Sequence, residues 1–129
     1  MPYASNGKTR LHYEVEGKGP PMVLSHGFMM DGTSWHDLGY VAELKPDYTL
    51  LIMDARGHGT SDKPHDVPDY NDKTMAEDVL SVMSSAGVDS AHFFGFSMGG
   101  RTGLELAVIA PERFRSFIIA SATPGARTD

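Results

Sequence analysis

Six consecutive residues, Gly95-Phe96-Ser97-Met98-Gly99-Gly100, constrain this chain more than any other stretch. A short apolar and aromatic run, Ala91-His92-Phe93-Phe94, precedes them, and residues 101–110 follow with the small and apolar side chains of a packed helix. The pattern is strand, sharp turn, helix, with Ser97 at the turn. Strand and helix nearly touch in such a turn, so the residues two before and two after the serine must be small. Gly95 and Gly99 meet that need. The Ser97 hydroxyl is then expected to stand clear of the sheet, facing the amides and the positive dipole end of the following helix. A plain glycine turn between strand and helix would carry the same letters, so the rest of the chain must decide.

Length and charge narrow the field. The 129 residues suit one domain, 1–129, with one core. The net charge of -6, with no cluster of lysine or arginine, argues against a nucleic-acid partner or an anionic membrane surface. Cysteine is absent, which excludes disulfides, thiolate chemistry and cysteine zinc sites, and fits a reducing compartment; a cytoplasmic location is expected. Neither a secretion signal nor an apolar run of membrane-spanning length is visible. No pattern calls for a metal or a cofactor, and none is expected.

In chain order, residues 9–16 alternate with Leu11, Tyr13 and Val15 on one face, a half-exposed strand that leaves His12 toward solvent. Residues 17–20 form a turn. The apolar run of residues 21–25 is a buried strand that ends in His26-Gly27-Phe28. Gly27 allows a tight turn there, and the Phe28 N–H, together with the Met98 N–H, is placed to face a tetrahedral oxygen beside Ser97. His26 is read as packing and hydrogen bonding to hold that loop. One helix is expected from Trp35 through Leu44, ended by Lys45-Pro46. Residues 48–53 are nearly all apolar, as in a parallel strand covered on both faces.

That strand runs into Asp54-Ala55-Arg56-Gly57-His58-Gly59-Thr60-Ser61-Asp62, expected to be a rigid loop with Arg56 paired to Asp54 and Asp62. A base role for His58 is the weaker reading, since such a loop needs its polar groups for itself. Residues 63–71 are loop. A helix starting at a Thr74–Glu77 capping box buries Met75, Val79, Val82, Met83 and Ala86 and stops at Gly87. After the Ser97 turn and its helix, in which Gly100 and Gly103 permit close approach to the sheet, Pro111 ends the helix. Residues 114–120 form one more buried-type strand, followed by a polar tail at 121–129. Alternating strands and helices give an α/β fold with a mainly parallel sheet flanked by helices.

His26-Gly27-Phe28, the Asp54-to-Asp62 loop and Gly95-Phe96-Ser97-Met98-Gly99-Gly100, in this order and spacing, resemble the α/β-hydrolase superfamily in its esterase and lipase-like branch. The likeness runs from Leu11 to about Pro124. It implies Ser97 as nucleophile, an oxyanion hole from Phe28 and Met98, and support of loop and elbow by His26, Gly27, Gly95 and Gly99. It implies an ester-like small-molecule substrate. Serine at 97, in place of aspartate, resembles esterases, enol-lactonases, C–C bond hydrolases and cofactor-free haloperoxidases more than haloalkane dehalogenases or epoxide hydrolases. Triad order in this superfamily is serine, acid, histidine, yet no histidine follows Ser97 and the last is His92. The chain therefore resembles the N-terminal half of such an enzyme, without lid or later strands. A feeble esterase when alone, and pairing of the 114–120 edge into a homo-oligomer, are the corresponding expectations. A non-catalytic binding module, or an inactive fragment that keeps the fold, is the alternative.

Overall fold

The structure, a computed structural model, describes residues 2–65 and 70–122. Six strands form one sheet: β1 (Tyr3–Asn6), β2 (Thr9–Gly17), β3 (Pro21–Ser25), β4 (Thr49–Met53), β5 (Ala91–Phe96) and β6 (Phe114–Ala120), in spatial order β1-β2-β4-β3-β5-β6. β4, β3, β5 and β6 run parallel to one another; β1–β2 and β2–β4 are antiparallel pairs. Between them lie α1 (Thr33–Asp37), α2 (Tyr40–Leu44), α3 (Asp72–Ser85) and α4 (Met98–Ile109), with a 3-10 turn at Pro111–Arg113.

Both faces of the central strands are covered, which is why β3 and β4 read as unbroken apolar runs. Val23, Leu51, Met53 and Phe93 point to the side of α3 and α4, where they meet Ala76, Val79, Val82, Met83 and Leu106. Met22, Leu24, Leu50 and Ile52 point the other way and pack with Trp35 and Val41 of α1 and α2. Period two along each strand thus fills two cores. Gly100 and Gly103 lay α4 close on the sheet, where added Cβ atoms would stand 2.6 Å from Ala122 Cβ and Ile119 Cδ1 respectively.

Several elements differ from expectation. β1 was not foreseen; Tyr3–Asn6 is short, polar and held by its hairpin partner rather than by any apolar pattern of its own. The single helix expected from Trp35 to Leu44 is two short ones, because Gly39 breaks it with a left-handed φ of 85°. α3 begins at Asp72 instead of Thr74, capped by the Asn71 side chain, which accepts the Thr74 N–H at 2.8 Å. α4 starts at Met98, directly after Ser97, and not at Arg101. Val15, expected on the buried face with Leu11 and Tyr13, is exposed; Tyr13 is the last of the three to reach the core on the α3 side, with its hydroxyl 2.8 Å from Ser85 Oγ. β6 is not covered on both faces, since it borders the sheet and exposes Arg115, Ser116 and Ile118. The tail expected after β6 falls, from 123 on, outside the described residues.

Candidate active site

β3 and β5 are parallel neighbours in register, with Ser25 opposite Gly95. Their C-terminal ends therefore deliver two segments to one edge of the sheet, where open α/β sheets form their clefts. The first segment is Ser25 to Met30; the second is the Ser97 turn. Ser97 lies between the last residue of β5 and the first of α4, at φ 55° and ψ -111°, a backbone region disfavoured for any residue with a Cβ. Three hydrogen bonds hold it there. Ser97 N–H donates to Ala120 O of β6 at 2.8 Å, Arg101 N–H donates to Ser97 O at 3.0 Å, and Gly99 N–H donates to His26 O at 3.1 Å.

The flanking glycines are required by contact distance. A Cβ at Gly95 would stand 2.3 Å from Gly99 O, and one at Gly99 would stand 2.1 Å from Ser25 O. Neither carbonyl can retreat without separating strand from helix. Gly27 runs so near that a Cβ there would lie 3.3 Å from Ser97 Cβ. A cavity of about 880 Å³ opens beside the serine, bordered among others by Phe28, His58, Tyr70, Met98 and Arg101. Among the described residues, neither the Phe28 nor the Met98 N–H has a hydrogen-bond partner, nor does the Ser97 hydroxyl.

The loop after β4 braces this edge. His26, 1 % exposed, donates from Nδ1 to Gly27 O at 2.8 Å and accepts the Ala55 N–H on Nε2 at 2.9 Å. Both ring nitrogens are used, so the imidazole is neutral with its proton on Nδ1. Burial pushes its pKa below the ordinary histidine value against the pull of the Gly27 carbonyl, and nearby His58 lowers it further. His58 is engaged in the same way: Nδ1 donates to Arg56 O at 3.0 Å and Nε2 accepts the Met29 N–H at 3.1 Å.

The expected pairing of Arg56 with Asp54 and Asp62 is not what forms. Arg56 reaches α3 instead, binding Asp78 through Nε at 2.6 Å and a terminal nitrogen at 2.7 Å, with both side chains buried. Asp62 accepts from the Arg10 N–H at 2.7 Å. Asp54 accepts from the N–H groups of Gly32 at 2.6 Å and Thr60 at 3.1 Å and meets His12 Nδ1 at 3.0 Å. Burial acts to raise the Asp54 pKa, but those two amides and the imidazole outweigh it and hold the carboxyl below its ordinary range. His12, expected in solvent, is thus taken up by the returning loop, its side chain 13 % exposed.

Sequence reasoning named Ser97, Met98, Phe28, Gly27, Gly95 and Gly99, and the fold brings all of them to one edge. It did not name Arg101 or Asp72, whose side chains pair at 3.0 Å on the cavity wall. Arg101 stands four residues after Ser97, the spacing that puts two residues on one helix face, so a signal existed. Asp72 had none, because α3 was expected to begin later. Among the described residues, one set of possible metal ligands comes together: Glu14, Glu16 and His36. None of them borders the cavity, and the His36 ring already lies between the two carboxylates. No helix among the described residues is long and apolar enough to cross a membrane.

A six-stranded, mainly parallel sheet between helices, with a tight strand–turn–helix at a serine, defines a class of α/β enzyme folds. The family model for the alpha/beta hydrolase fold matches residues 20–129, and the chain belongs to that family. It is 36% identical over 117 residues to 3-oxoadipate enol-lactonase 1 of Acinetobacter baylyi, covering 89% of this chain and 42% of that protein. It is 32% identical over 121 residues to a fluoroacetate dehalogenase of Burkholderia sp, covering 92% and 39%. Among solved structures, the enol-lactonase from Burkholderia xenovorans superposes with a TM-score of 0.87 at 34% identity, covering 94% of this chain and 46% of that one. The chain spans less than half the length of the curated relatives it matches.

Proposed function

We propose that this chain carries the nucleophile-bearing half of a serine hydrolase acting on carboxylic esters or lactones. The observation that supports this most is the placement of Ser97 at φ 55°, with Phe28 and Met98, whose N–H groups have no partner among the described residues, lining the same cavity. In this reading Ser97 Oγ attacks the acyl carbon, and its proton passes to a base. The two amides hold the oxygen that gains charge, acting as the oxyanion hole. The tetrahedral intermediate then expels the alcohol, and water hydrolyses the acyl-serine. Similarity to an enol-lactonase favours an acyl ester; similarity to a dehalogenase was the less expected, since position 97 is serine.

The base is not supplied by the histidines near the site. His26 and His58 have both ring nitrogens engaged. We therefore infer that a complementing segment or a second copy provides it. Without a base, the oxyanion amides and binding still support ~10³–10⁴-fold acceleration over water. The test is labelling by a fluorophosphonate probe together with p-nitrophenyl acetate turnover, with and without the C-terminal half of a related lactonase added. Labelling at Ser97 that Ser97→Ala abolishes, and turnover that rises on complementation, are expected. Turnover unchanged by Ser97→Ala would overturn the proposal. The Ser97 hydroxyl, without a partner among the described residues, also suits a second reading, a binding module without catalysis, which ligand binding with no labelling would select.

A further inference from the structure

We propose that His58 is a positioning residue: its Nε2 holds the Met29 N–H and thereby sets the direction of the neighbouring Phe28 amide. Met29 is one of the few non-glycine residues at positive φ among those described, at 66°. Such a conformation is disfavoured for a side chain with a Cβ and persists where its surroundings impose it. Two bonds impose it here. Met30 N–H donates to Gly27 O at 3.1 Å, closing the turn, and Met29 N–H donates to His58 Nε2 at 3.1 Å. The first is local to the turn. The second ties the turn to the loop after β4.

His58 is itself held. Its Nδ1–H donates to Arg56 O, its own N–H donates to Ala55 O at 3.0 Å, and Arg56 is locked to Asp78 of α3. The ring packs edge-on to Phe28 at 5.6 Å and lies 5.2 Å from the His26 ring. Only the Nδ1–H tautomer serves both bonds: with the proton on Nε2, two N–H groups would face each other at Met29. The Phe28 N–H shares its peptide plane with Gly27 O, which accepts from His26 Nδ1 at 2.8 Å and Met30 N–H at 3.1 Å; the Met29 N–H lies one peptide further on, so the bond to His58 fixes the far side of Phe28 and limits the backbone rotation that could turn its amide. The inference rests on the reading of the Phe28 amide as a donor to the reacting oxygen, and it predicts that the imidazole acts on Ser97 chemistry without touching substrate.

The test uses the isotope-labelled chain at neutral pH. In the unaltered protein, the ring-nitrogen shifts of His58 should report the Nδ1–H tautomer, and an Nε2–H form would overturn the proposal. This measurement stands even where a substituted chain fails to fold. His58→Gln keeps an acceptor within reach of Met29, whereas His58→Asn keeps only a donor for Arg56 O. The Met29 amide should exchange about two- to tenfold faster in His58→Asn, as for loss of one hydrogen bond, and stay near wild type in His58→Gln. Fluorophosphonate labelling of Ser97, measured with the complementing half present, should slow in the same order. Equal behaviour of the two variants would overturn it, marking the ring as filler. If Ser97 takes no label even with the complementing half present, the hydrolase reading falls, while tautomer and exchange still decide the role of His58.

Discussion

At the scale of single residues, the site edge is held by polar groups whose partners lie far along the chain. His26 illustrates the consequence for pH. Its imidazole is buried and neutral, with a pKa lowered in the folded state. A group of this kind contributes stability that is whole above its unfolded value and is lost as pH falls through the lower folded value. The urea midpoint is therefore expected to fall as pH drops below about 6.5, the ordinary histidine value. His26→Asn should begin less stable and show a flatter profile across that window; a profile identical to wild type would contradict the assignment. Ser97 and its glycines were legible from the sequence because their requirement is local. The partner of Arg56 was not. Asp54 and Asp62 are its neighbours in the chain, yet Asp78 of α3 lies against it in space.

At the scale of elements, the decisive contact is α4 against β3 and β5. Gly99 sits in the first turn of α4 with its Cα facing Ser25 O. Gly99→Ala must push the helix start away from β3, since the obstacle is backbone and cannot rotate aside. We expect a loss of about 1–3 kcal/mol in stability, the usual range for overpacking, read from chemical denaturation. The Gly99 N–H bond to His26 O should weaken with it, visible as faster exchange of that amide. The apolar runs of β3 and β4 were readable because strands covered on both faces need no alternation. The break at Gly39 was not, since Leu38 and Val41 continue the helical spacing on either side of it.

At the scale of the whole molecule, β6 is the strand with an open edge beside the site. Among the described residues it pairs only with β5, and Ile118 is 46% exposed. An open strand of this length is a template for pairing. We propose that it pairs with a second copy or with a complementing segment. Sedimentation well above micromolar concentration is expected to find dimers or larger species, and Ile118→Lys to shift them toward monomer. A monomer at all concentrations would count against self-pairing. The same β6 supplies Ala120 O, which holds the Ser97 N–H, so capping the edge and steadying the serine are linked.

What the sequence alone determined is the order of parallel strands and helices, the glycine-flanked serine between β5 and α4, and the family. The first two follow from periodicity and from steric needs that span only a few residues; the family came from the resemblance of three motifs in their order and spacing. Tertiary structure alone decided which carboxylate takes Arg56, that His12 and Asp54 meet, and that His58 faces Met29. Each of these contacts joins residues 22 to 42 positions apart. Local pattern says which groups need a partner, but only the packed sheet brings one of several candidates within hydrogen-bond reach.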